Sequence, residues 1–138
     1  MRLLIDTNVV LDVLQAREGH YEDSALVWKI CETKKAEGYL TTLSFANLVY
    51  VLRKELTPER IDKVREQLSM IFRFEDFTVA DVIKASKDKW NDFEDAVQNA
   101  VAERVQADFI VTRNGKDFSK GMIRACSPAE LIDEMAFK

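Results

Sequence analysis

The chain has 138 residues, 20 of them basic and 24 acidic, for a formal net charge of −4. That length fits one domain spanning 1–138 with a core of its own, and 47% apolar with 32% charged residues excludes a disordered chain. No apolar run approaches the ~20 residues that span a bilayer, and the net acidity argues against a protein that coats nucleic acid, where phosphate contacts dominate affinity.

Leu3-Leu4-Ile5 is a short apolar run ending at Asp6, with Val9, Val10, Leu11, Val13 and Leu14 following at helical density. This predicts a buried strand, a turn and a helix. An acid so early in the apolar stretch does not read as a secretory signal. Residues 21–37, with Ala25, Leu26, Trp28, Ile30 and Cys31 among charges, predict an amphipathic helix that Gly38 stops. Tyr39 to Thr42 reads as the second strand, and Phe45, Leu48, Val49, Leu52 and Leu56 as the apolar stripe of a third helix. Thr57-Pro58 places an N-cap before a first-turn proline, opening a fourth helix through Ile61, Val64 and Leu68.

Residues 72–77 are the third candidate strand, and Thr78 with Asp81 predicts a capped helix to about Lys87. Asn91 or Asp92 caps the next helix, whose expected core stripe is Phe93, Ala96, Val97, Ala100, Val101 and the stem of Arg104. Phe109–Thr112 reads as a buried strand and 122–125 as a short last one. Ser127-Pro128 then opens a terminal helix carrying Leu131 and Ile132. Strands alternating with helices predict an α/β fold, a mainly parallel sheet covered by helices on both faces. Cys31 and Cys126 lack C-x-x-C spacing and read as buried thiols of a cytoplasmic protein.

In such sheets ligands sit outside the carboxyl ends of the strands. Asp6 ends the first strand, while Thr112, Asn114 and Asp117 follow the fourth. Asp95 lies one turn into the helix that feeds that strand. At about 100° per residue, Asp92, Asp95 and Asn99 share one flank of this helix, whereas Glu94 is expected to face solvent near Gln98 and Val101. Carboxylates gathered this closely repel one another unless a cation neutralises them. Their hard oxygens suit Mg²⁺ or Mn²⁺, and the chemistry such an ion supports is hydrolysis. Each acid also has a plainer role: Asp6 or Asp92 as a helix cap, Asp95 as a first-turn acid, Asp117 as a turn residue. Their arrival from three separate segments favours the shared ion.

Charge is uneven along the chain. Residues 74–106 hold eight acids against four bases, and residues 43–73 hold six bases against four acids. Arg53, Lys54, Arg60 and Lys63 are candidates for a basic flank facing a polyanion, with Arg113 and Lys116 nearer the ion. Ordinary solvated charge is the alternative for each. His20 is the single histidine, which leaves little for a histidine metal site or a Ser-His-Asp triad. Neither G-x-G-x-x-G nor a P-loop is present. Trp28 and Trp90 fall at packing positions.

Asp6-Thr7-Asn8-Val9-Val10-Leu11-Asp12, Asp92-Phe93-Glu94-Asp95-Ala96-Val97-Gln98 and Thr112-Arg113-Asn114-Gly115-Lys116-Asp117-Phe118 resemble, in order, the opening, central and late motifs of PIN-domain nucleases. The resemblance covers essentially the whole chain, and its small size is similar to VapC-type toxins. It implies a five-stranded parallel sheet between helices in three layers, metal-dependent hydrolysis of RNA, frequent homodimers and, in toxin members, a neutralising antitoxin. It also implies Asp6, Asp95 and Asp117 as metal acids, Asp92 as an auxiliary acid, and Thr112 and Asn114 as groups that orient ligands or water.

One position departs from that pattern. The family usually carries a second acid, commonly Glu, in the helix after the second strand, and here Asn47 stands there. An amide donates an oxygen without charge, so metal affinity should fall. Glu55, two turns further on, is too distant to replace it. The leading expectation is therefore a Mg²⁺- or Mn²⁺-dependent ribonuclease, the second a weakened PIN fold that binds RNA or protein. A phospho-acceptor receiver domain is disfavoured, because Asp6-Thr7 lacks the paired acids such domains carry after the first strand.

Overall fold

The computed structural model describes residues 1–136, so the last two positions of the expected 1–138 unit lie outside the described residues. Five strands, β1 (Arg2–Ile5), β2 (Glu37–Thr41), β3 (Arg73–Glu75), β4 (Phe109–Val111) and β5 (Arg124–Cys126), form one sheet in the order β3-β2-β1-β4-β5. Every pairing is parallel. Seven α-helices join the strands among the described residues: α1 (Thr7–Leu14), α2 (Tyr21–Glu32), α3 (Thr42–Leu52), α4 (Pro58–Ile71), α5 (Val79–Asp88), α6 (Phe93–Arg104) and α7 (Pro128–Ala136). A 3-10 turn covers Gly115–Phe118.

The period-2 alternation of β1 divides the core. Leu3 and Ile5 point into a cluster with Val9 and Val10 of α1, Val27 and Trp28 of α2, Leu48 of α3, Leu68 of α4 and Leu131 of α7. Leu4 points the other way, with Tyr39 and Ile110, onto Val101, Ala102 and Val105. The result is the expected three layers. From β1 the chain moves outward through β2 to β3, then crosses back to β4 on the other side. The switch point of the sheet is thus at the carboxyl ends of β1 and β4, where the register pairs Ile5 with Val111.

Several boundaries differ from the sequence reading, each for a visible reason. α2 ends at Glu32 rather than running to 37. Lys34 takes the left-handed conformation (φ 63°), its N–H donates to Cys31 O and the Lys35 N–H donates to Ile30 O, closing the helix without glycine. Gly38 instead lies inside β2, where a Cβ would sit 2.6 Å from Cys31 Sγ and 2.8 Å from Phe72 Cδ1. α3 stops at Leu52, short of Leu56, and β3 keeps only the middle of the 72–77 run. The last strand is shifted to Arg124–Cys126, leaving Met122 exposed. Phe93 is 50% exposed at the start of α6 and is not core. The Arg104 guanidinium reaches Asp81 Oδ2 at 3.0 Å, Glu75 Oε1 at 2.9 Å and the Asp76 carbonyl at 2.7 Å, so this side chain clamps α5 and β3 onto α6.

The local signals that held are caps. Thr57 precedes Pro58 and accepts from Arg60 N–H, and Thr78 with Asp81 forms a reciprocal capping box. Cys31 and Cys126 are buried free thiols, pushed by burial up to about 12 and about 11 respectively. No helix among the described residues is long and apolar enough to cross a membrane.

Candidate active site

Because Ile5 and Val111 are paired, the next residue of each strand stands at the sheet edge beside the other. The Asp6 N–H still donates to Val111 O at 2.9 Å, which carries the sheet one bond further. The Asp6 side chain then does two things. Its Oδ1 accepts from Thr7 N–H at 2.8 Å, capping α1, and its Oδ2 accepts from Thr112 Oγ1 at 2.8 Å. Thr112, 1% exposed, also accepts from Asn114 N–H at 3.1 Å, fixing the turn that leads to Asp117. The Asp117 N–H donates to Asn114 O and holds the acid in the 3-10 turn.

Asp92 caps α6 by accepting from Asp95 N–H at 3.0 Å, which sets Asp95 in the first turn. Asp6, Asp92, Glu94, Asp95 and Asp117 then line one open cleft of about 360 Å³ with Asn47, Asn114, Thr7 and Asn8. Tyr50 and Val51 of α3 form part of its wall. Among the described residues, no lysine, arginine or histidine lines it. Burial, followed by the negative charges of Asp92, Asp6, Asp117 and Glu94, pushes Asp95 up to about 7. Burial also raises Asp6, opposed by the Thr112 hydroxyl, the Thr7 N–H and the charge of Arg113. Among the described residues no three acidic, histidine or cysteine side chains stand in a set ready to hold a metal ion. The acids share a cleft without being drawn to coordination distance.

Glu94 is exposed, as expected, and in addition its Oε2 accepts from Asn47 Nδ2 at 2.9 Å, so it bridges α6 to α3 at the cleft wall. Asn99 turns the other way, buried against Gly121 with its Nδ2 donating to Glu103. The basic candidates are dispersed. Arg113 Nε lies 3.3 Å from Oδ2 of the fully buried Asp12, in a groove with His20 and Ser24. Arg53 stacks 3.7 Å over the Tyr50 ring at the cleft rim and donates to the Tyr50 carbonyl. Lys54, Arg60, Lys63 and Lys116 are exposed.

Sequence reasoning missed the buried network behind the acids. Gln98 Nε2 donates to Ser44 Oγ at 2.7 Å, Thr41 Oγ1 donates to Gln98 Oε1 at 2.9 Å, and Thr7 Oγ1 donates to Ser44 Oγ at 2.9 Å. These bonds lock α1, α3 and α6 around the end of β2. Their signal was polar residues at strand ends and on the packed face of α6, which apolar periodicity overlooks.

The fold and the strand-end acids define a PIN-type α/β protein. A sequence model of the PIN domain matches residues 2–116, and the chain belongs to that family. No curated protein sequence matches it. Among solved structures, Mycobacterium tuberculosis VapC20, described as a sarcin-ricin loop cleaving toxin, is 15% identical, with 88% of this chain and 96% of that chain covered at a TM-score of 0.70. FitAcB from Neisseria gonorrhoeae is 18% identical, covering 92% and 98% at a TM-score of 0.68. PAE2754 from Pyrobaculum aerophilum is 19% identical, covering 100% and 97% at 0.65. At these identities the likeness is one of fold, a fold shared with the VapC20 toxin and with FitAcB.

Proposed function

We propose that this protein is a divalent-metal-dependent endoribonuclease, of the toxin type, that hydrolyses phosphodiester bonds of RNA. The observation that carries the reading is the set of five carboxylates lining one cleft at the sheet's switch point, with no cationic side chain beside them among the described residues. Negative charge so concentrated is unfavourable without a cation, and it adds to the burial that first pushes Asp95 up to about 7. Hard carboxylate and amide oxygens fit Mg²⁺ or Mn²⁺. Asp6, Asp95 and Asp117 would hold the ion, with Asp92 and Asn47 as auxiliary oxygens.

When bound, such an ion acidifies water and stabilises charge on the phosphate being cleaved. The remaining work falls to the chain itself. Thr112 keeps the Asp6 carboxylate aimed past the strand end, and Asn114 fixes the turn that presents Asp117. Arg53, Lys54 and Lys116 are exposed cations that can meet the RNA backbone outside the acid cleft, and Arg113 is a further candidate. The reading includes a cytoplasmic location, a homodimer and a neutralising antitoxin; VapBC2 from Rickettsia felis and a toxin–antitoxin complex from Klebsiella pneumoniae share the fold and support the last. The test is Mn²⁺-stimulated cleavage of single-stranded RNA that Asp6→Asn and Asp95→Asn each abolish. Absence of any such cleavage by the wild type would refute the proposal.

Asn47 favours a second reading, a weakened PIN fold that binds RNA or protein without cutting. Calorimetry separates the two, because a non-catalytic module should take up Mn²⁺ negligibly in the absence of RNA.

A further inference from the structure

We infer that Glu94 supplies the carboxylate that position 47 lacks, and that Asn47 is the positioning residue that holds it over the cleft. The inference rests on reading the cleft as a divalent-metal site. Asn47 belongs to α3 and Glu94 to the first turn of α6, and the two meet through Asn47 Nδ2 donating to Glu94 Oε2 at 2.9 Å. Both line the cleft that also holds Asp6, Asp95 and Asp117.

The chemistry of the pair is complementary. A carboxylate at 47 would face the Glu94 carboxylate at hydrogen-bond distance and repel it, so one acid and one amide is the combination this wall accommodates. Among the described residues no lysine or arginine pairs with Glu94, so its charge is not neutralised by an ion pair. The Asn47 bond engages one oxygen, and a carboxylate has a second with free lone pairs. The N-terminal turn of α6 is itself a favourable place for an acid. The wall therefore keeps one full negative charge, carried on α6 instead of α3.

Mn²⁺ titration by calorimetry on the purified chain tests this, with Asp6→Asn as the reference for loss of the site. Glu94→Gln retains an oxygen that can accept from Asn47, and the position is exposed, so the fold is not at stake; circular dichroism checks it. Removal of this ligand should weaken Mn²⁺ at least about tenfold, Asn47→Ala should weaken it less, and the exchanged pair Asn47→Glu with Glu94→Gln should return it to within about threefold of wild type. Glu94→Gln binding like wild type while Asp6→Asn does not bind would overturn the inference and leave the cleft reading intact. So would a weakened Glu94→Gln that the exchanged pair fails to restore. Wild-type protein that binds no Mn²⁺ would remove the cleft reading and this inference together.

Discussion

The Thr112 hydroxyl donates to Asp6 Oδ2 at 2.8 Å and so ties together residues 106 positions apart at the carboxyl ends of adjacent strands. Asp6 is thereby held at both oxygens, one by its own helix and one by β4's continuation. Thr112→Val keeps the shape and removes the donor. It also strands the Asn114 N–H, which uses the same hydroxyl as acceptor. We expect Thr112→Val to lower Mn²⁺ affinity about 10- to 100-fold, the range for groups that orient a metal ligand. Thr112→Ser should stay near wild type. Parallel calorimetry on the two variants checks this, and equal losses would show that packing, not the hydroxyl, matters.

Asp95 carries a cost that pH can reveal. Its folded value of about 7 lies above the ordinary 3.8, so between those values the folded chain binds a proton that the unfolded chain does not. Stability of the metal-free protein should therefore fall as pH rises through that window, with the penalty fully present above about 7. Asp95→Asn removes the ionisable group. In the presence of a chelator, the variant should melt a few degrees above wild type at pH 8 and level with it near pH 4. Adding Mn²⁺ should raise the wild-type melting temperature and leave the variant's unchanged. A variant that melts below wild type at pH 8 would mean that Asp95 is held by favourable contacts instead.

The central strands were legible in the sequence because they are buried and read as plain apolar runs bounded by polar residues, as at Leu3–Ile5 and Phe109–Val111, whereas the edge strands β3 and β5 are partly exposed and their bounds were read less well. The caps at Thr57 and Thr78 were legible because they depend on local hydrogen bonds. Asp6, Asp95 and Asp117 could be brought together by topology alone. Side-chain partners across elements could not. Helical angle alone turns Glu94 toward solvent, where it does stand, but nothing local to it indicates that Asn47, on a different helix, donates to it. Lys34 ending α2 was missed because glycine is the usual left-handed residue, and Gly38 close by drew the expectation to itself.

Gly38 offers a direct check on that correction. A methyl group there would lie 2.6 Å from Cys31 Sγ and 2.8 Å from Phe72 Cδ1, inside a packed core that cannot yield freely. Gly38→Ala should destabilise the fold by about 1–3 kcal/mol in urea denaturation, the usual range for overpacking. Cys31→Ala in the same chain removes the nearest atom and should recover part of that loss. If Gly38 merely ended a helix, Cys31→Ala would only add its own cavity cost.

Arg113 can be assigned by the same kind of cycle. Its Nε lies 3.3 Å from Oδ2 of Asp12, which is fully buried and otherwise held by Ser24 Oγ at 3.0 Å and by Arg17 at 3.6 Å. Removing one partner of a buried pair leaves an uncompensated charge, and Arg17 softens that only in part. Arg113→Met should thus cost about 2–4 kcal/mol of stability. Asp12→Asn removes the charge while its amide oxygen can still accept from Ser24, so in that background the further cost of Arg113→Met should shrink to about 1 kcal/mol or less. A residue that serves RNA alone behaves oppositely: its loss would leave the urea midpoint unmoved, show no coupling to Asp12, and weaken RNA binding with a smaller salt dependence. Lost stability that couples to Asp12, accompanied by weakened RNA binding, would mean that Asp12 anchors an arginine that also meets substrate.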